Sequence, residues 1–318
     1  MNDLYDATIG VLLATYNGEK YLSEQVDSVL RQPDFKIIIF AHDDGSTDST
    51  KRILDEYRQL YQDRFIVLDG ASTGSSKCNF MYLVEEALKY KIDYFFFADQ
   101  DDVWQPQKVK VMMQKMKEVE RAEKPCVVFS DMKVVDENLN EIAPSFFSYI
   151  NANPERIKPN QLIMQSFIAG CSMLVNRITA ELSVHYKNID KIFMHDWWMA
   201  LIGSFIGQIT CINEPLVLYR QHGNNQIGAR PFKKTELVRH LFDTIFGDHK
   251  KEIKARVQRS RDFAEELKHV PGLTNGQFEF LDRFSKLGEE NKAKRIGFYL
   301  KHKLTRNNKR NLIFLLFV

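Results

Sequence analysis

YFFFADQDDVW, residues 94–104, runs five apolar residues into three acids and a tryptophan. The apolar run has the length of a strand and the continuity of one buried on both faces, which puts the acids at a strand's carboxyl end. Three carboxylates within four positions repel one another unless something positive sits among them. Upstream, the sequence alternates between two periods. IGVLLATYN (9–17), KIIIFAHDD (36–44) and RFIVLDG (64–70) read as strands, and DYFFFAD (93–99) is then the fourth. Between them, GEKYLSEQVDSVLRQ (18–32), STDSTKRILDEYRQLY (46–61) and NFMYLVEEALKY (79–90) read as amphipathic helices, the second opened by Ser, Thr and Asp capping residues. Strand and helix alternating at this spacing predict an α/β fold, a doubly wound sheet with parallel pairing. Ligands in such sheets bind beyond the carboxyl ends of the strands, so the TYN, DDGSTD and DQDD clusters are expected to meet at one crevice.

The rest of the chain is less regular. CVVFSDMKVVDENLNEI (126–142) reads as a hairpin, QSFIAGCSMLVNR (165–177) as a strand with a glycine inside it, and CINEPLVLYRQHGNN (211–225) as a strand pair punctuated by Pro215. KIFMHDWWMALIGSFIG (191–207) reads as a loop that becomes a short helix, and from about 231 onward every segment has helical period. Charge divides the chain as well. Residues 1–228 carry 23 Lys/Arg against 31 Asp/Glu, and residues 229–318 carry 21 against 11. An acidic body (1–228) and a basic helical C-terminal region (229–318) are expected, with different jobs. The four cysteines form no CxxC pair, which points away from a zinc site or disulfide framework and toward a reduced, cytoplasmic compartment. No apolar run approaches the ~20 residues a membrane span needs.

Five motifs carry possible chemistry, and each has a bland alternative. DQDD (99–102) suits a hard divalent cation, but it also reads as a solvated acidic turn. Its DxDxV pattern further fits an aspartyl-phosphate phosphatase with Asp99 as nucleophile, although that motif normally sits on a first strand. HDDGSTDST (42–50) can hydrogen-bond a base and ribose or form a plain capped turn. Tyr16 at the first strand's end can stack on a base or fill a half-buried position. HDWW (195–198) sets Asp196 beside two indoles, whose desolvation would raise its pKa into the range of a general base; a helix N-cap is the alternative. In YRQHGNN (219–225), Arg220 stands two positions before His222 and so on the same strand face, where the two suit a diphosphate and a metal; taken alone, His222 reads as a surface turn residue.

Taken in order, these motifs resemble glycosyltransferase family 2, and DQDDVW, GCSM (170–173), HDWW and YRQHGNN resemble its bacterial rhamnosyltransferase branch. The resemblance covers roughly residues 1–228. It implies the GT-A fold, a Rossmann-like mixed sheet, with a C-terminal helical extension. The implied activity is inverting transfer of a sugar, L-rhamnose from dTDP-L-rhamnose or a sugar from a UDP-sugar, to a lipid-linked or polysaccharide acceptor. The implied roles are nucleotide contacts from Thr15, Tyr16, Asn17, Asp44, Asp99 and Arg220, and a Mg²⁺ or Mn²⁺ site at Asp101, Asp99 and His222. Asp196 matches the catalytic base, and Trp104, Gly170, Cys171, Trp197 and Trp198 would line the sugar and acceptor pocket. Asp102 is an extra acid for which the resemblance gives no role. The Q-x-x-R-W sequence of processive relatives is absent.

The basic C-terminal region adds an expectation of its own. Residues 291–318 hold eight Lys/Arg (Lys292, Lys294, Arg295, Lys301, Lys303, Arg306, Lys309, Arg310) and no acid, with Phe298, Tyr299, Leu304 and LIFLLFV as apolar contact. Such a segment suits the anionic inner face of the cell membrane or a second copy of the chain. Nucleic-acid binding lacks any accompanying motif. A non-catalytic nucleotide-sugar-binding protein stays open beside the transferase and phosphatase readings.

Overall fold

The computed structural model describes residues 6–223 and 249–304. The 231–248 segment, Asn224 and Asn225 of YRQHGNN, and Arg306, Lys309, Arg310 and the terminal LIFLLFV lie outside the described residues. The parallel half of the sheet follows the apolar runs. Strands β1 (Thr8–Thr15), β2 (Lys36–Asp43), β3 (Phe65–Val67) and β4 (Tyr94–Asp99) alternate with helices α1 (Leu22–Leu30), α2 (Thr50–Tyr61) and α3 (Ser76–Ala87). β1 lies between β2 and β4, parallel to both, and Ala14 is in register with His42 on one side and Asp99 on the other. The three strand ends are therefore level, and the turns after them share one edge of the sheet.

The second half turns the sheet mixed. After β5 (Val103–Trp104) and α4 (Lys108–Val119) come β6 (Cys126–Val135), β7 (Glu141–Ala143), α5 (Phe146–Tyr149), α6 (Pro159–Leu162), β8 (Met173–Asn176), α7 (Arg177–Ser183), α8 (His195–Ile206) and β9 (Gln208–Arg220). The order across the sheet is β3-β2-β1-β4-β8-β6-β9-β5, with β7 added to β6 as a hairpin. β8 runs antiparallel to β4 and β6, while β9 runs parallel to β6. A purely parallel sheet is thus replaced by a parallel core with an antiparallel insertion.

Two sequence expectations are corrected here. Gly170 is not inside a strand: Gly170–Ser172 is a 3-10 turn, closed by the Ser172 N–H on the Ala169 carbonyl at 3.0 Å, and β8 begins only at Met173. Residues 211–220 are not a strand pair but part of one thirteen-residue strand. Pro215 sits at a register break, where Ser130 pairs with Ile212 but Asp131 pairs with Pro215. A proline has no N–H for the ladder, so the strand bulges around it and continues.

The described C-terminal helices are α9 (His249–Leu267), α10 (Asn275–Lys286) and α11 (Lys292–Lys301). Their apolar residues join the same buried cluster as the sheet, through Phe263, Leu267, Leu281, Phe284, Phe298 and Tyr299. Phe298, Tyr299 and Leu304, expected as membrane contacts, are buried in the protein instead. The basic side chains of the same stretch, Lys292, Lys294, Lys301 and Lys303, stay exposed. Among the described residues, no helix is long and apolar enough to cross a membrane.

Gly207 joins α8 to β9 at a point where a β-carbon would stand 1.9 Å from the Pro125 carbonyl oxygen, a backbone atom. The Gly207→Ala variant should lose about 2–3 kcal/mol of unfolding free energy in a denaturant titration, because the β6–β9 pairing has to shift to admit the methyl group.

Candidate active site

The first two turns are built by polar side chains that satisfy each other's backbone. Tyr16 is 57% exposed. Its backbone is clamped by the Gln100 amide, which accepts from the Tyr16 N–H and donates to the Tyr16 carbonyl, both at 2.8 Å. Asn17 adopts a left-handed φ of 49°. Its N–H donates to Ser46 Oγ at 2.7 Å and its Oδ1 accepts from the Thr47 N–H at 2.9 Å, so Asn17 locks the two turns together and does not line the crevice. Thr15 is buried, with its hydroxyl 3.2 Å from Asp43 Oδ1. Asp44 Oδ1 gathers the Thr73 N–H, the Thr73 hydroxyl at 3.0 Å, the Ser72 hydroxyl at 3.1 Å and the Gly74 N–H at 3.2 Å. One carboxylate oxygen thereby shapes the loop that leads into α3.

The three acids after β4 part company. Asp99 faces the crevice, and withdrawal from water, then Asp101 and Asp196, push its carboxyl up to about 7. Asp101 also faces the crevice, with Oδ2 2.7 Å from His222 Nε2. Asp102 turns inward and is 1% exposed; its Oδ1 accepts the Arg220 N–H at 3.0 Å, and burial raises its carboxyl well above the usual range. Beneath them, Lys108 is fully buried, donating to the Cys171 carbonyl at 2.6 Å with its ammonium 3.6 Å over the Trp104 ring. Burial lowers its pKa to about 7.

Several residues named from the sequence fall outside the crevice as a result. Arg220 is buried behind the acid turn, where Nε donates to the Asp101 carbonyl and Nη1 to the Glu137 carbonyl, both at 2.7 Å, while Nη2 meets Glu24. Its guanidinium also lies 4.5 Å over Tyr21, which leaves it turned away from any diphosphate in the crevice. Trp104 and Cys171 are packed under the turn, not on the pocket wall. Asp99, Asp101 and His222 are not gathered as one ligand set. The three described groups whose ligand atoms all lie within 4.8 Å of one another are Asp99, Asp102 and Cys171. Burial raises the pKa of both Asp102 and the Cys171 thiol, and a metal needs its ligands deprotonated. Asp102 and Cys171 therefore suit neutral hydrogen-bonded groups better than metal ligands, and Asp99 with Asp101, both facing the crevice, is the fitting oxygen pair.

On the opposite wall, Asp196 occupies the first turn of α8. Its Oδ2 accepts the Gly170 N–H at 3.0 Å and its Oδ1 the Trp197 N–H at 2.5 Å. Loss of water outweighs these bonds and raises its pKa to about 6. Trp197 lines the crevice and donates through Nε1 to the Leu162 carbonyl at 2.7 Å. Trp198 does not line it: it is fully buried, and its Nε1 donates to the Ser183 carbonyl. His195, also buried, stacks on Phe80 at 4.1 Å and is held neutral, with a pKa lowered by burial to about 3.

Thr15, Tyr16, Asp44, Asp99, Asp101, Gly170, Asp196 and Trp197 thus share one crevice of ≈ 880 Å³. The sequence reading missed Gln100, the Ser72–Ser76 loop and an apolar wall of Phe146, Ile150, Phe167 and Ile168. Gln100 lies within the opening stretch, and ASTGSS (71–76) carries a loop signal before a helix. The apolar wall comes from an irregular region and carries no such signal.

The sequence profile of Glycosyl transferase family 2 matches residues 10–182. Over 240 residues the chain is 29% identical to the dTDP-rhamnosyl transferase RfbG of Shigella flexneri, which covers 72% of this chain and 79% of that protein. It is 26% identical over 234 residues to an uncharacterized glycosyltransferase of Nostoc sp., covering 70% and 67% of the two chains. Among solved structures, S. aureus TarS 1–349 in complex with UDP-GlcNAc superposes with a TM-score of 0.55 at 14% identity, over 92% of this chain and 79% of that one. The mannosyltransferase PcManGT from Pyrobaculum calidifontis, in complex with GDP-Man and Mn²⁺, gives 0.50 at 13% identity, over 92% and 75%. The mixed sheet with its helical C-terminal region is the GT-A arrangement.

The inward acid can be tested directly. Asp102→Asn keeps an acceptor for the Arg220 N–H and should stay within about 1 kcal/mol of the parent in denaturant unfolding, whereas Asp102→Ala orphans that N–H and should cost about 1–3 kcal/mol.

Proposed function

Because the chain belongs to glycosyl transferase family 2, we propose that it is an inverting, metal-dependent glycosyltransferase that moves L-rhamnose from dTDP-L-rhamnose to a hydroxyl of a glycan or lipid-linked acceptor. The observation that carries this reading is the convergence of an exposed Tyr16, Asp44, two turn carboxylates and a desolvated Asp196 on one crevice. Tyr16 offers its ring face to the base, and the Asp44 carboxylate is held by the 72–74 loop with Oδ1 engaged, so that Oδ2 can meet the base. Thr15 and Asn17 shape the nucleotide end from beneath. Likeness to the rhamnosyl transferase of Shigella flexneri supports the donor, with a UDP-sugar as the alternative. The apolar wall of Phe146, Ile150, Phe167 and Ile168 suits the methyl group of a 6-deoxy sugar.

Asp101 and Asp196 raise the cost of ionising Asp99, and Asp99 and Asp101 are the residues that would hold Mg²⁺ or Mn²⁺, with His222 fixing the Asp101 carboxylate. Such an ion, when bound, offsets charge on a departing nucleoside diphosphate. Asp196 takes the proton of the acceptor hydroxyl, whose oxygen then bonds to the anomeric carbon opposite the leaving group and inverts it. The Gly170 and Trp197 N–H groups hold the Asp196 carboxylate in one orientation for that transfer. An aspartyl-phosphate phosphatase is the weaker reading, because its motif belongs on a first strand and here the acids follow the fourth, β4. We place the GT-A catalytic domain in residues 1–228, braced from outside by α9, with the exposed lysines of the 229–318 region at the anionic inner face of the membrane.

Thermal shift tests the reading. dTDP with Mn²⁺ should raise the melting temperature more than dTDP alone, and Asp101→Asn should remove the metal's share; no shift with dTDP, UDP or GDP would sink the proposal. The sign of the pH effect follows from Asp196. A base must be ionised, and burial raises its pKa to about 6, so kcat/KM should fall about tenfold per pH unit below about 6 and level off above it. Asp196→Asn should abolish transfer while leaving dTDP binding intact; transfer that persists in this variant would leave only a nucleotide-sugar-binding role for the site.

A further inference from the structure

The segment that delivers Asp196 to the crevice is built on its outer side by the C-terminal region. Glu266 of α9 is 1% exposed. One of its carboxylate oxygens accepts the Lys187 and Asn188 N–H groups at 2.7 and 3.0 Å, and the other lies 3.8 Å from Lys191 Nζ. Phe263 sets its ring 4.8 Å from that of Trp197. One turn further back, the Arg259 guanidinium lies 4.0 Å over the Phe193 ring. Positions 259, 263 and 266 share one helix face, so the three contacts form a single seam. From the other side, Lys77 of α3 donates to the Ile189 carbonyl at 2.9 Å.

Phe193 lines the crevice yet is 37% exposed, with Trp197 edge-on to it at 6.2 Å and 85°. Lys77 and Arg259 stand just behind that wall and not in the crevice lining, bracing the same few residues, and neither has a carboxylate partner among the described residues. A partly exposed aromatic ring, two cations with no carboxylate partner among the described residues and an adjacent base together suit a sugar ring that also carries an anion.

We propose that Phe193, Trp197, Lys77 and Arg259 form the acceptor subsite, and that it takes a glycoside bearing a phosphate or diphosphate. This rests on the reading of Asp196 as the base. The acceptor ring lies against the exposed part of Phe193 that Arg259 leaves uncovered, its hydroxyl reaches Asp196, and the forked guanidinium of Arg259 beside it binds two phosphate oxygens at once. The C-terminal helix is thereby part of the site, and the buried Glu266 keeps its face in place. A phosphate within a glycan, one linking a glycan to a lipid and a phospholipid headgroup share this chemistry, so the test must separate them.

The full-length chain, with and without dTDP, is titrated calorimetrically with glucose 1-phosphate and with methyl glucoside. The phosphate-bearing sugar should bind about tenfold tighter or better, and Arg259→Gln should shrink that preference to about threefold or less with dTDP affinity unchanged. Phe193→Leu should weaken both sugars alike. Equal affinity for the two sugars, no binding of the phosphate, or an undiminished preference in Arg259→Gln would overturn the proposal. So would a parallel loss of dTDP affinity, which would give Arg259 to the donor. Vesicles of phosphatidylglycerol form the last arm: if Arg259→Gln loses vesicle binding and keeps the sugar-phosphate preference, the cation serves a membrane and the proposal fails. Failure of the parent chain to bind dTDP counts against the donor reading alone, since the sugar titrations also run without nucleotide.

Discussion

Four carboxylates gather where β4 ends, in a place with little water, and the rest of the site is arranged around their mutual repulsion. Each is handled differently. Asp102 is turned into the core and kept neutral, accepting the N–H at the end of β9. Asp101 is bonded to His222. Asp99 and Asp196 are left facing the crevice with pKa values raised to about 7 and about 6. The third acid of the turn is thus a fastener between two strand ends 118 positions apart in sequence. Arg220 completes the fastening by donating to the Asp101 carbonyl from the same strand end. A guanidinium would be costly to bury unpaired, and here its donors meet two carbonyls and Glu24.

The same economy explains the layer beneath. Lys108 lends positive potential to the acid turn from within the core, bonded to the Cys171 carbonyl and covered by Trp104. Its ammonium stays partly charged at neutral pH because acids surround it, and the acids tolerate their closeness partly because of it. Trp104 and Cys171 therefore belong to the site's foundation, one layer below anything a substrate touches.

The C-terminal region shows how charge and packing can tell different stories. Its excess of lysine and arginine suggests a separate appendage, yet its apolar residues complete the core of the body and its buried Glu266 ties down the loop before Asp196. Charge lies on the exposed faces of its helices, and the apolar stripe, not the charge, decides where they dock.

By itself, the sequence determined the parallel half of the fold. Continuous apolar runs can be strands only if both faces are buried, and three such runs in parallel register bring TYN, DDGSTD and DQDD to one edge. It also singled out Asp196, through the density of aromatic residues around one acid. What it could not settle was which neighbour faces the crevice. Trp197 and Trp198 are adjacent, but helical neighbours point about 100° apart, so one indole reaches the pocket and the other the core. Arg220 and His222 were expected to share a strand face, but the strand stops at Arg220, and beyond it the two-residue alternation no longer applies. Only the tertiary structure decided that the histidine meets Asp101 while the arginine braces the turn from behind. Facing is a property of where an element ends and what it packs against, and contacts between residues more than a hundred positions apart set both.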